Sequence, residues 1–266
     1  MKDTSERILI DSPRRDEADY YVYLLHLASY SFVARFTKDK KVLDLGCGTG
    51  YGSFALSENA EMVFGLDISG EAINYAKNKY TKQNLEFIKL NDSSLPFDDD
   101  TFNIIVSFQV IEHIKDIESY LSEIKRILKP NGQFFLSTPD KNTRLFKIQK
   151  PWNYYHIKEY SIHDLNGLLS KWFTKVEIMK IGGEEKIVSF ELKRRRKTRL
   201  ITLPFTISLY PTFVRKFFLK SLKKIYYAKP KVLKTDNKIL DYDISDIVIN
   251  HEMKQHTDLM AVCAKL

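Results

Sequence analysis

Val42-Leu43-Asp44-Leu45-Gly46-Cys47-Gly48-Thr49-Gly50 is the stretch on which the reading of this chain turns. Its apolar opening predicts a buried strand. The three glycines that follow predict a tight loop whose backbone can come close to a ligand that side chains would hold off. Helical spacing over Gly52–Ser57 completes a strand, loop and helix.

Working outward, further short apolar runs occur at Met62–Asp67, Leu85–Leu90, Ile104–Phe108, Gly132–Ser137 and Val176–Ile181. Helical patterns lie between them at Gly70–Thr81, Ile117–Leu128 and Ile162–Trp172. This alternation predicts an α/β fold: a doubly wound, mostly parallel sheet with right-handed crossovers and helices on both faces. Upstream, Tyr20, Tyr21, Leu24, Leu27, Ala28, Phe32 and Ala34 fall at helical spacings and predict one or two opening helices. A terminal run, Asp258–Leu266, reads as a seventh strand. The predicted organisation is N-terminal helices over 1–40, a ligand-binding core over 41–181, a basic insertion over 182–257 and the final core strand over 258–266.

Ligands of open α/β sheets bind beyond the carboxyl ends of the strands, which is where the glycine loop falls. A dinucleotide site would have its third glycine at position 51, but that glycine comes one residue early and Tyr51 takes its place. Asp44, just ahead of the loop, would repel a diphosphate yet suits a cationic amino acid moiety. Asp67 ends the second strand, where a carboxylate can accept bonds from ribose hydroxyls. Asp92 and Ser93 follow the third strand and can meet an adenine amino group. These features favour an adenosyl amino acid over NAD.

In order, the motifs Val42–Gly50, Phe64–Ile68, Asn91–Phe97, Phe102–His113 and Leu128–Ser137 resemble the class I methyltransferases of the "type 11" group, over residues 20–180. The resemblance implies S-adenosylmethionine as cofactor, with Asp44, Gly46, Cys47, Gly48 and Gly50 on its methionine and ribose side. It further implies Asp67 on the ribose, Ile68 against adenine, Asp92 and Ser93 at the adenine edge, and a last strand antiparallel to the rest.

Methyl transfer from a sulfonium needs alignment and dryness above all, and a hydroxyl acceptor also benefits from a base. Gln109-Val110-Ile111-Glu112-His113 follows the fourth strand, placing Gln109 beside the donor and offering Glu112 and His113 for the acceptor. His156 is the third candidate catalytic group. The pair Glu112-His113 resembles ubiquinone-pathway and small-RNA O-methyltransferases, in which Glu-x-x-Glu-His plus a later His holds a divalent metal. Here Gln109 replaces the first Glu, which weakens a hard-cation site. No metal ligands are therefore assigned, and a divalent ion remains an alternative. The phrases His26–Tyr30, Gly50–Ser53, Ser137–Lys141 and Asn153–Tyr160 resemble methyltransferases of bacterial surface-glycan biosynthesis and imply a sugar hydroxyl as acceptor. Quinone or RNA 2′-O-methylation, and a non-catalytic cofactor-binding role, are the alternatives.

A formal charge of +8 hints at nucleic acid, but its distribution argues otherwise. Lys193 to Lys234 holds 14 Lys or Arg and no Asp or Glu, leaving the rest of the chain mildly acidic. In its second half Phe217, Phe218, Leu222 and Ile225 can share one helical face with lysines opposite, a pattern suited to an anionic membrane surface or to a lid packed on the core. RNA is a third, less favoured alternative for this segment. Leu200–Val214 is too short to span a bilayer, and Pro204 and Pro211 are expected to interrupt a helix. The two cysteines, Cys47 and Cys263, read as free thiols. With no leader or spanning run in view, a cytoplasmic protein is expected, with peripheral contact to the inner membrane face through 193–234 as an alternative to the lid.

Overall fold

The computed structural model describes residues 17–91, 94–207, 209, 211–228 and 242–265. Its strands are β1 (Lys41–Leu45), β2 (Met62–Asp67), β3 (Leu85–Lys89), β4 (Phe102–Phe108), β5 (Leu128–Pro139), β6 (Lys175–Gly183), β7 (Ile247–Asn250) and β8 (Asp258–Ala264). The helices are α1 (Glu17–Ala34), α2 (Tyr51–Leu56), α3 (Gly70–Lys79), α4 (Ile117–Ile127), α5 (Lys141–Arg144), α6 (Ile162–Leu169), α7 (Glu185–Thr206) and α8 (Thr212–Ala228).

The strands form one sheet in the order β3-β2-β1-β4-β5-β8-β6-β7. Neighbours from β3 to β5 are parallel, while β8 runs antiparallel to both β5 and β6. The predicted architecture therefore holds, with one more strand than the seven read from the sequence. The extra strand, β7, lies inside the insertion and pairs antiparallel with β6 at the sheet edge. Its residues, Ile247-Val248-Ile249-Asn250, do not alternate apolar with polar, and the apolar run is only three long.

Period-two alternation of side chains explains the two cores. Val42, Ile104, Val106, Phe135 and Met260 face α1 and α2, whereas Leu43, Ile105, Phe134, Leu136, Leu259 and Ala261 face α4 and α6. Tyr21, Leu24 and Val33 of α1 belong to the first cluster, so the opening helix is part of the main core. Helix starts follow local chemistry. Ser69 caps α3 by accepting from the Ala72 amide, Asp116 caps α4, and Ser161 with Asp164 forms a reciprocal capping box on α6.

Of the two prolines expected to interrupt a helix, Pro211 lies in the break between α7 and α8, whereas Pro204 does not end α7. Pro204 sits in the final turns of α7, and Pro211 stands just ahead of α8, where its carbonyl accepts the Val214 and Arg215 amides. At a helix start the missing N–H is no loss. Among the described residues no helix is long and apolar enough to cross a membrane.

Candidate functional site

The chain runs from β1 to β2 and β3 on one side, then returns to β4 on the other side of β1. Connections therefore diverge between β1 and β4, and a crevice opens at their carboxyl ends. Both sequence motifs meet there: a Cβ on Gly46 would stand 2.4 Å from Val110 Cγ2.

The glycine loop is positioned by its own amides, with Gly46 and Cys47 donating to the Leu66 carbonyl at 2.7 and 2.9 Å. Gly48 has φ +55°, and a Cβ there would meet nothing within 4 Å. Gly50 has φ +84°, but its Cβ would lie 2.7 Å from Phe87 and Ala76. The first glycine leaves the cleft open to a ligand, while the second lets the loop pack. Asp67 ends β2 and accepts from the Gly48 amide at 3.0 Å and from the Ser69 amide at 2.8 Å. Each oxygen keeps a lone pair for a ribose hydroxyl. Beside it Ile68 is 75% exposed, a large apolar surface available to a flat base. These residues fit the adenosyl and ribose parts of S-adenosylmethionine.

Two cofactor expectations shift. Asp44 has no accessible surface, and its oxygens accept from Tyr30 (3.2 Å) and Ser53 (2.6 Å). It thus underlies the loop instead of presenting a free carboxylate to an amino acid moiety, and burial pushes it up to about 7. Cys47 turns its side chain away from the cleft into a small cluster with Ile73, Ala76 and Phe87. Burial raises its thiol well above the ordinary range. Asp92 and Ser93 lie outside the described residues.

On the acceptor side the three candidate catalytic residues come together. Ile111–His113 forms a short 3₁₀ turn, and the His113 ring meets the His156 ring edge-on at 4.8 Å between centroids. His113 Nδ1 lies 3.3 Å from the Tyr155 carbonyl. Glu112 is buried; Oε2 accepts from Thr138 at 3.0 Å and Oε1 has no partner. Burial pushes this carboxyl up to about 8. His156 Nδ1 lies 2.8 Å from Glu159, which also accepts from Arg144 Nε at 3.0 Å. Burial depresses the imidazole to about 4, so it is neutral at neutral pH. With its Nδ1 proton held by Glu159, His156 has a bare Nε2.

Donor atoms of Glu112, His113 and His156 lie within 4.8 Å of one another, a grouping able to hold a divalent ion. Gln109 does not join them. Held at φ +57°, it donates to Asp258 at 3.3 Å. Asp258 in turn accepts from Arg195 at 2.8 Å, and Arg195 Nε donates to Glu191 at 2.7 Å. All three members of this ion network are buried.

The basic run is consequently divided, with Lys193, Arg196 and Lys197 exposed and the other cations engaged. Arg195 is buried at the centre of the network, Arg194 pairs with Glu191, and Arg199 lies over the Phe146 ring at 4.2 Å. Sequence reading missed Tyr30, Ser53, Glu159, Asp258 and Arg195. The spacings His156–Glu159 (i, i+3) and Glu191–Arg195 (i, i+4) were visible signals for two of these pairs. The rest meet across 9 to 149 positions of chain, as Ser53 meets Asp44 and Gln109 meets Asp258.

Comparison with known proteins agrees with the fold and the cofactor. The family described as "Methyltransferase domain" matches residues 36–189. A probable S-adenosylmethionine-dependent methyltransferase of Mycolicibacterium smegmatis is 32% identical over 174 residues, 65% of this chain and 65% of that protein. A ubiquinone biosynthesis O-methyltransferase of Coxiella burnetii is 33% identical over 111 residues, 41% of this chain and 47% of that one. The chain thus spans less than two thirds of the length of either relative. Among solved structures, a Thermotoga maritima methyltransferase described as a possible histamine N-methyltransferase superposes with a TM-score of 0.57 over 94% of this chain and 95% of that one. At 14% identity that likeness speaks for the fold alone. Glycine loop, strand order and family match converge on one assignment: the chain belongs to the methyltransferase domain family, among the class I S-adenosylmethionine-dependent methyltransferases.

Proposed function

We propose that this protein transfers the methyl group of S-adenosylmethionine to a hydroxyl, with a sugar or lipid-linked sugar as acceptor. The observation that carries the reading is the Glu112–His113–His156 cluster beside the glycine loop, with one buried Glu112 oxygen unpartnered. The cofactor supplies an electrophilic methyl on a sulfonium. Gly48 and Asp67 bind it, and Ile68 covers the base. His156 Nε2, oriented through Glu159, takes the hydroxyl proton while His113 and Glu112 align the acceptor oxygen. The O-methyltransferase name of the Coxiella relative is consistent with oxygen as the accepting atom.

A labelled methyl group supplied on S-adenosylmethionine to a cell extract, fractionated into aqueous sugars, lipids and RNA, tests the acceptor. Label in a sugar or lipid-linked sugar fraction is expected; label confined to RNA or quinone overturns the acceptor class. His156→Gln should lose roughly 100- to 10,000-fold in turnover, the usual worth of a general base, with cofactor affinity unchanged. Asp67→Ala should abolish cofactor binding in calorimetry. The proximity of the same three donors favours one second reading, in which a divalent cation orients the acceptor. Manganese binding to the wild-type protein and not to His156→Asn, read by calorimetry, decides for it.

A further inference from the structure

The insertion forms a helical hairpin whose tip is apolar and turned outward. Leu209, in the turn between α7 and α8, is 90% exposed, and Phe213 and Phe217 are 74% and 68% exposed. The two phenylalanines lie four residues apart and therefore on one helical face. Leu200 and Ile201 of α7 are also more than half exposed. Of the predicted face, Phe217 and Phe218 are exposed, and Phe213 extends it towards the start of α8; the side chains of Leu222 and Ile225 lie outside the described residues. What packs inward on α8 is Leu219 together with Arg215, whose Nη1 donates to the Pro151 carbonyl at 2.6 Å. Gln149 fixes α7 by donating to Thr202 and Thr206 at 3.1 and 2.8 Å. The hairpin base is therefore anchored on the core, and a lid would have buried the opposite side.

We propose that this tip docks the protein on an anionic lipid bilayer, with Leu209, Phe213 and Phe217 entering the acyl boundary and Arg196, Lys197, Lys216 and Lys220 meeting the headgroups. Those four cations are exposed, and no Asp or Glu occurs between Glu191 and Asp236. Charge excludes a symmetric pairing of this face with a second copy, which would bring like charges together. RNA would use the cations and rings but gives leucine and isoleucine nothing to bury in. A bilayer accepts both kinds of side chain.

The test is flotation of the full chain with vesicles of phosphatidylcholine alone and of phosphatidylcholine mixed with phosphatidylglycerol. Association with the mixed vesicles is expected, weakening with salt. The triple variant Leu209→Ser/Phe213→Ser/Phe217→Ser should partition at least about hundredfold more weakly, from the loss of three apolar anchors. Its melting temperature and cofactor affinity should be retained. Val248→Ser, an exposed apolar site away from the hairpin, should bind vesicles as the wild type does. No association with the mixed vesicles overturns the proposal. So does unchanged binding of the triple variant, or a dimer or RNA complex that this variant abolishes when vesicles are not bound. None of these outcomes depends on the acceptor, so the docking proposal and the proposed reaction can fail separately.

Discussion

Gly48 and Gly50 both hold positive φ in the loop after β1, yet their surroundings differ enough for their substitutions to be told apart. An alanine at 48 meets open space, so Gly48→Ala should fold with a penalty of about 1 kcal/mol for the left-handed backbone, while its methyl intrudes on the ligand. Cofactor affinity measured by calorimetry should fall more than thermal stability does. Gly50→Ala presses against Phe87 and Ala76 and should reverse that order, losing about 1–3 kcal/mol of stability as overpacked interiors do. Asp44 yields a pH prediction. Its carboxyl is raised from the ordinary range to about 7 by burial, so ionising it in the folded state is unfavourable. Stability contributed by this group is full below about pH 4 and is lost as pH rises towards 7, because the unfolded chain releases the proton first. Asp44→Asn should flatten that part of the profile in denaturant titrations run across pH; an unchanged slope would rule the assignment out. At this scale the sequence located the glycine loop after β1 and Asp67 at the end of β2. It could not tell that Asp44 lies under the loop, since the burial depends on Tyr30 and Ser53 arriving from two helices.

At the scale of elements, α7 joins the insertion to the site. Glu191 and Arg195 stand one turn apart on the helix, and Arg195 bridges to Asp258 at the start of β8, which receives Gln109 from the segment after β4. Removing one member of a buried ion network leaves the others uncompensated, commonly at about 3–5 kcal/mol. Arg195→Ala is expected to destabilise by that amount in chemical unfolding. Arg196→Ala, its exposed neighbour, should change stability by less than about 0.5 kcal/mol. Arg195→Lys should fail to rescue, since a single ammonium cannot reproduce bonds made from three guanidinium nitrogens. In the sequence the basic run looked uniform. Helical geometry separates its members, because 3.6 residues per turn sends Arg195 inward and Arg196 and Lys197 outward.

Across the whole molecule, β8 lies between β5 and β6 and pairs with both along its length. The final residues therefore bridge the two halves of the sheet's right side. A chain ending at Thr257 should lose cooperative unfolding, seen as a broad denaturant transition with a reduced m-value, because β6, β7 and the insertion would have no strand to dock on. The sequence by itself determined the α/β class, the crevice-side loop, the carboxylate at the end of β2 and the concentration of cations over 193–234. Each of these is written in local periodicity, glycine spacing or charge composition. Tertiary structure alone decided the eighth strand, the meeting of Glu112, His113 and His156, the burial of Asp44 and Arg195, and the outward turn of the hairpin tip. Those features depend on side chains brought together from distant positions, and one-dimensional spacing carries no information on which of two faces of a helix finds a partner.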